Sequence, residues 1–172
     1  LSNMLYSATQ PEYGAVAIRY PRGACEGLDW KKPFEYVEPG KGVVVSDGEG
    51  VAVVTLGTIG NRAAKAVAKA KEEGLSPLHI NMRFLKPLDT LLLGEACSRC
   101  HTIITVEDGA VTGGLASAVA EYVAQHNLDV KVVSLGIPDR FIEQGTVDEL
   151  ISECGYNVDS IYNSIIEAGK GK

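Results

Sequence analysis

From residue 42 onward, the hydrophobic positions of the chain switch repeatedly between strand-like and helix-like spacing. Short β-branched or apolar runs predict strands at Val43–Val45, Val51–Leu56, Leu78–Phe84, Thr102–Val106 and Val130–Leu135. The segments between them carry apolar residues at helical spacing. Strands that alternate with helices are typical of a three-layer α/β/α domain. We therefore predict a mostly parallel, five-stranded sheet with helices on both faces.

Residues that favour helix ends mark the predicted helices, which cover 61–73, a segment starting at 87–89, 113–126, a segment ending near 154, and 159–168. Asp89 and Asp159 are predicted N-caps, and Thr146 with Glu149 fits a capping box. The first two strands are joined by only about five turn residues, too few for a parallel crossover. The first strand is therefore predicted to be antiparallel to the second if the two are neighbours.

The first 41 residues do not follow this pattern. A helical pattern over residues 1–10 is followed by Ala15–Tyr20, which reads as a strand ended by Pro21. A lone helix and strand cannot bury their apolar faces, so we expect residues 1–22 to be the tail of an upstream domain. Residues 23–41, rich in glycine and proline, are predicted to be a linker held along a surface by its aromatic residues Trp30, Phe34 and Tyr36. The main domain is then 42–168.

Composition excludes several classes of function. The 172 residues carry a net charge of −6, with 16 basic and 22 acidic residues, so a cationic nucleic-acid surface is not expected. No apolar run approaches the roughly 20 residues that span a bilayer, and no secretion signal is recognisable. The four cysteines do not form a disulfide framework for a chain of this size, which favours a reducing compartment.

Cys97–His101 matches the CxxCH pattern of c-type haem attachment and the CxxC pattern of redox proteins. We disfavour both, because the motif closes a predicted helix whereas thioredoxin-like motifs open one. The three histidines are dispersed without metal-ligand spacing, so no zinc site is predicted.

Two strand-to-helix turns and one strand end carry candidate chemistry. After Val106, Glu107 and Asp108 lead into Gly109–Gly114, whose spacing fits neither a dinucleotide site nor a P-loop. We expect the two carboxylates to accept nearby N–H groups while the glycines allow close packing. The turn Met82–Asp89 is expected to be a capped turn with a salt bridge. Arg22, which follows Tyr20-Pro21 at a strand end, suits a phosphate or carboxylate.

Four stretches together resemble the C-terminal third of the 1-deoxy-D-xylulose-5-phosphate synthase family, in that family's order: Ala17–Gly23, Arg83–Asp89, Val106–Gly114 and Leu135–Gly145. The resemblance covers essentially the whole chain. It implies a transketolase-like, thiamine diphosphate- and Mg²⁺-dependent homodimer that condenses pyruvate with glyceraldehyde 3-phosphate and releases CO₂. It also implies a transketolase C-terminal-domain fold and a bacterial cytoplasmic or plastid location.

Within this resemblance, Arg22 matches the family arginine that holds the aldehyde's phosphate. The family's metal motif and its cofactor-activating glutamate are absent, so the 172 residues alone are expected to bind no cofactor or metal and to be inactive. Two alternatives stay open. In the first, the chain is a stand-alone dimerisation or interaction module. In the second, it is the C-terminal part of another transketolase-like enzyme.

Overall fold

A computed structural model describes residues 1–18, 20 and 31–171. These fall into two compact units, residues 1–39 and 40–172. Among the described residues, no helix is both long and apolar enough to cross a membrane.

The first unit is built around one short helix. Helix α1 spans Ser2–Ala8 and is followed by a 3₁₀ turn at Pro11–Tyr13. The segment 31–39 packs back on them: the backbone N–H of Val37 donates to Ser7 Oγ at 2.8 Å, and the Tyr13 hydroxyl donates to the carbonyl of Val37. The rings of Tyr6 and Phe34 lie 6.1 Å apart. Phe34 and Tyr36 thus contact rings of their own unit, whereas Trp30 lies outside the described residues. The assignment of residues 23–41 to a linker stays a prediction.

Residues 15–18 form no strand, which corrects the strand predicted over Ala15–Tyr20. A strand needs a partner to satisfy its backbone hydrogen bonds, and the described residues of the first unit contain no other strand. The assignment of residues 1–22 to an upstream domain stays a prediction.

The second unit is the predicted α/β/α domain. Its strands are β1 (Val43–Ser46), β2 (Gly50–Leu56), β3 (Leu78–Asn81), β4 (Cys100–Ala110) and β5 (Lys131–Ile137). Its helices are α2 (Gly60–Glu72), α3 (Thr90–Arg99), α4 (Leu115–Gln125), α5 (Val147–Glu153) and α6 (Val158–Lys170). The sheet order is β1-β3-β2-β4-β5, and all neighbouring pairs are parallel except β1 with β3.

β1 pairs with β3 rather than with β2, although the turn between β1 and β2 is short. The predicted antiparallel strand is therefore present, but its neighbour is β3. β2 instead lies between β3 and β4, where it is buried on both sides.

Two cores fill the space between the layers. On one face, Val51 and Val53 of β2 pack with α2, α5 and α6; on the other, Ala52 and Val54 pack with α3 and α4. Because successive strand residues point to opposite faces, a central strand covered on both sides must be apolar at every position. This explains the unbroken run Val51–Val54.

The helix caps follow the sequence with one exception. The Asp89 carboxylate accepts from the Leu92 N–H at 3.1 Å, and Thr146 forms the capping box with Glu149. The last helix is capped by Asn157, two residues before the predicted cap Asp159, and the Asn157 side chain accepts from the Ser160 N–H.

His79 is an ionisable side chain inside the sheet layers. It is 1% exposed, its Nε2 lies 3.3 Å from the Thr55 hydroxyl oxygen, and its Nδ1 has no partner among the described residues. The Thr55 hydroxyl already donates to the carbonyl of Ile80, so it accepts from His79. Burial lowers the pKa of His79 from 6.5 to about 4.

This pKa predicts acid sensitivity. The folded state binds the His79 proton less readily than the unfolded state, so stability is lost as pH falls from 6.5 towards 4. The loss attributable to His79 should reach about 2 kcal/mol at pH 5. Urea unfolding at pH 7 and pH 5 measures it. His79→Gln should remove this part of the pH dependence, whereas the surface control His126→Gln should retain it. An equal pH dependence in all three proteins would contradict the assignment.

Candidate functional site at the carboxyl ends of the strands

The carboxyl ends of parallel strands are where α/β domains usually bind ligands, at the point where successive connections leave to opposite faces. Here that point lies between β2, which connects to α2 on one face, and β4, which connects to α4 on the other. The glycine turn after β4 is therefore the first place to look for a binding site.

In this turn the Glu107 carboxylate occupies the position that a bound anion would take. It is 5% exposed, and its two oxygens accept from the backbone N–H groups of Leu115 at 2.9 Å and Ala116 at 3.0 Å. These are free amides of the first turn of α4, whose N-cap is a glycine with no side chain to cap it. A negative charge is also favoured at the positive end of the helix dipole. A phosphate cannot use these amides while Glu107 holds them.

Gly114 is required by this contact. A Cβ at this position would collide with the Glu107 carboxylate and would lie 2.5 Å from the carbonyl oxygen of Ala110. Ser117 holds the middle of the turn through two hydrogen bonds. Its hydroxyl accepts from the Gly113 N–H at 2.8 Å and donates to the carbonyl of Val111 at 3.2 Å. The structural role predicted for Glu107 and the glycines is confirmed.

Asp108 has a different partner from the one predicted. Its carboxylate accepts from the Tyr156 hydroxyl at 3.1 Å rather than from a backbone N–H group. Burial, and then the nearby Asp108 charge, raise the pKa of Tyr156, which keeps this hydroxyl a donor. Sequence reasoning missed this bond because the two residues are 48 positions apart and Tyr156 belongs to no recognisable motif.

The turn between β3 and α3 is capped as predicted, but without the predicted salt bridge. Asp89 accepts from Leu92 and also from the Gly42 N–H at 3.0 Å. Arg83 and Lys86 are exposed, and neither side chain has a hydrogen-bond or ion-pair partner within the described part of the chain. The expected bridge fails because the acidic residue of this turn, Asp89, is occupied by two backbone donors.

Arg22, the predicted substrate residue, lies outside the described residues, so its role stays a prediction. The described residues hold no group of three or more His, Cys, Asp or Glu side chains that could bind a metal ion. The Glu107 contact closes the one helix N-terminus at this turn to a diphosphate.

The CxxCH motif lies at the opposite end of the sheet. The helix runs on to Arg99, and Cys100 and His101 already belong to β4, so His101 does not start a connection as expected. Cys97 and Cys100 are free thiols, and burial raises the pKa of Cys100 to about 11. The reactive thiolate form of Cys100 is therefore scarce at neutral pH.

Comparison with known proteins gives one family. Residues 40–161 match the family model for the transketolase C-terminal domain. The chain is similar to proteins named 1-deoxy-D-xylulose-5-phosphate synthase: 46% identity to that of Cytophaga hutchinsonii over 96% of the chain, 43% to that of Bacteroides thetaiotaomicron over 97%, and 42% to that of Chlorobaculum tepidum over 100%. It spans only about a quarter of their length (26%, 26% and 27%).

A solved structure agrees with this result. It is described as a split gene transketolase, inactive beta4 tetramer, and it superimposes with a TM-score of 0.73 at 31% identity. The match covers 79% of this chain and 44% of the other.

The Glu107 contact makes a stability prediction. Glu107→Gln loses one charge-assisted acceptor and should lower the free energy of unfolding by about 1.5–3 kcal/mol. Gly114→Ala should cost about 1–3 kcal/mol through overpacking. Gly109→Ala is the matched control in the same turn, because its Cβ would meet nothing closer than 3.6 Å. Chemical denaturation measures all three; a Gly114→Ala protein as stable as Gly109→Ala would refute the packing argument.

Proposed function

The chain belongs to the transketolase C-terminal domain family, and from this premise we propose that it is the C-terminal part of a 1-deoxy-D-xylulose-5-phosphate synthase. The full-length enzyme would condense pyruvate with glyceraldehyde 3-phosphate and release CO₂. The observation that carries the proposal is the similarity to proteins of that name along 96–100% of the chain. The family-specific stretch Pro138–Glu143 adds support from the sequence.

We propose that the cofactor sites lie in the remainder of the full-length protein. Thiamine diphosphate would supply the carbanion chemistry there, with Mg²⁺ holding its diphosphate. Two observations support this division: the described residues offer no metal-binding cluster, and Glu107 occupies the amides at the start of α4. The domain described above then acts as a stable α/β body that carries no reacting group of its own.

Arg22 is proposed as the one substrate-binding residue in this chain. A guanidinium group binds phosphate through paired, charge-assisted hydrogen bonds, which suits the phosphorylated aldehyde and not the small keto acid. The proposal rests on the position of Arg22 in the Tyr20–Gly23 motif.

The function is tested with two proteins, the full-length gene product and the 172-residue chain, each assayed for 1-deoxy-D-xylulose 5-phosphate and CO₂ with thiamine diphosphate and Mg²⁺. We expect product from the first and none from the second. A full-length protein that instead transfers ketol groups between sugar phosphates would identify another transketolase-like enzyme. An open reading frame that starts at residue 1 would identify a stand-alone module.

The role of Arg22 is tested in the full-length enzyme. Arg22→Ala should raise KM for glyceraldehyde 3-phosphate about tenfold to a hundredfold, because a charge-assisted contact contributes about 1.5–3 kcal/mol. KM for pyruvate should change little. Arg99→Ala is the matched control, since Arg99 is paired with Asp47 at 2.6 Å beside the amino end of β4. Equal increases in both KM values for Arg22→Ala would reject the phosphate role.

A further inference from the structure

Three basic side chains belong to two segments that meet where the chain enters the second unit. Lys41 precedes β1, and Arg83 and Lys86 lie in the connection between β3 and α3. All three are exposed, and none has a side-chain hydrogen bond or ion pair among the described residues. We call them the cationic cluster. They are unpaired although the chain as a whole carries a net charge of −6.

Backbone contacts bring the two segments together. A Cβ added to Gly42 would lie 3.4 Å from the Cα of Met82, and one added to Gly40 would lie 2.8 Å from Cγ of Pro87. The first lysine of the cluster lies between these two glycines, the arginine follows the methionine, and the second lysine precedes the proline. The three side chains therefore leave the backbone within one small area. Their long, flexible stems allow the charges to reach a common ligand.

The two segments supply no counter-charge to the cluster. Asp89 is the one acidic residue in the segments 40–46 and 81–89. It is 7% exposed, and its carboxylate already accepts from the backbone N–H groups at the start of α3 and in the entering segment. Other basic residues of the unit pair with an acidic side chain at 3.0 Å or less, namely Arg62, Lys69, Arg99 and Arg140. The charge of the cluster is therefore left for an external anion.

The backbone of Arg83 gives a second, independent observation. Its φ is +57°, in the left-handed region that a residue with a side chain adopts only at a cost in free energy. Asn127 is the other non-glycine residue with positive φ in the described part of the chain, but asparagine tolerates this region. The Asn81 side chain holds Arg83 there by accepting its backbone N–H at 3.0 Å. Glycine would fit without strain, so what arginine contributes here is its guanidinium group, and strained residues of this kind cluster at ligand-binding sites.

Three cations beside one turn suit a phosphate group. A phosphate ester carries about two negative charges at neutral pH and offers three strong acceptor oxygens, whereas a carboxylate carries a single charge. The planar fork of arginine binds two of these oxygens, and lysine binds phosphate as a point charge. A long polyanion such as a nucleic acid would be repelled by the acidic remainder of the chain. A small molecule is therefore the better fit.

We propose that the cationic cluster binds the phosphate or diphosphate group of a small molecule. Arg83 makes the paired contact with two oxygens, and Lys41 and Lys86 balance the remaining charge. The site is built from residues of the second unit alone, so it does not depend on the proposed function.

Isothermal titration calorimetry of the 172-residue chain with inorganic pyrophosphate tests the site. We expect saturable binding of pyrophosphate, weaker binding of inorganic phosphate and no binding of acetate. Arg83→Gly should weaken pyrophosphate binding about tenfold to a hundredfold, because it removes a charge-assisted contact. The urea midpoint of this variant should change little, since relief of the backbone strain offsets the extra freedom of glycine in the unfolded chain. A loss of binding in Arg83→Gly is then not a loss of folding.

Two variants serve as controls. Lys131→Ala removes the same charge from an exposed lysine on β5, at the other edge of the sheet, and should leave the affinity for pyrophosphate unchanged. Arg22→Ala removes the other predicted phosphate contact and should also leave this affinity unchanged.

Three results would overturn the proposal. These are no saturable binding of pyrophosphate, equal affinity in the wild type and Arg83→Gly, and an equal loss of affinity in Arg83→Gly and Lys131→Ala. A further arm uses vesicles of phosphatidylcholine with phosphatidylglycerol, because lipid headgroups also carry phosphate. Binding to these vesicles without binding of pyrophosphate would assign the cluster to a membrane surface and reject the small-molecule ligand.

Discussion

The second unit depends on one buried contact, the Glu107 carboxylate against the first amides of α4. Glu107 ends the ladder of β4 with β2, and its side chain reaches across the glycine turn to the helix. A buried carboxylate is costly unless it is hydrogen-bonded, and the first amides of a helix lack partners of their own. The carboxylate gives the two helix amides a hydrogen-bond acceptor, and the amides offset the cost of burying the carboxylate. The contact fixes the start of α4, and α4 in turn covers one face of the sheet.

This contact also decides what the glycine turn cannot do. A glycine-rich strand-to-helix turn is a common anion site because its amides are free. Here a side chain of the same domain takes them, and the absence of Cβ at Gly114 makes room for that side chain rather than for a ligand. The start of α4 is thus closed by a side chain of its own domain.

The sequence was sufficient for the features that depend on neighbours along the chain. The five strands of the second unit, the Asp89 cap and the capping box at Thr146 follow from local patterns. The position of Glu107 beside a helix start followed from charge and spacing. Contacts between distant residues could not be read in this way. The Tyr156–Asp108 bond, the pairing of β1 with β3 and the buried His79 arise only when the sheet is assembled.

The glycine turn after β4 is closed to anions by the Glu107 carboxylate. A crystal structure of the full-length protein, crystallised with thiamine diphosphate, Mg²⁺ and a phosphorylated substrate analogue, tests this most directly. We predict the Glu107 carboxylate on the amides of Leu115 and Ala116. A phosphate or diphosphate seated on those amides, with Glu107 turned away, would contradict it.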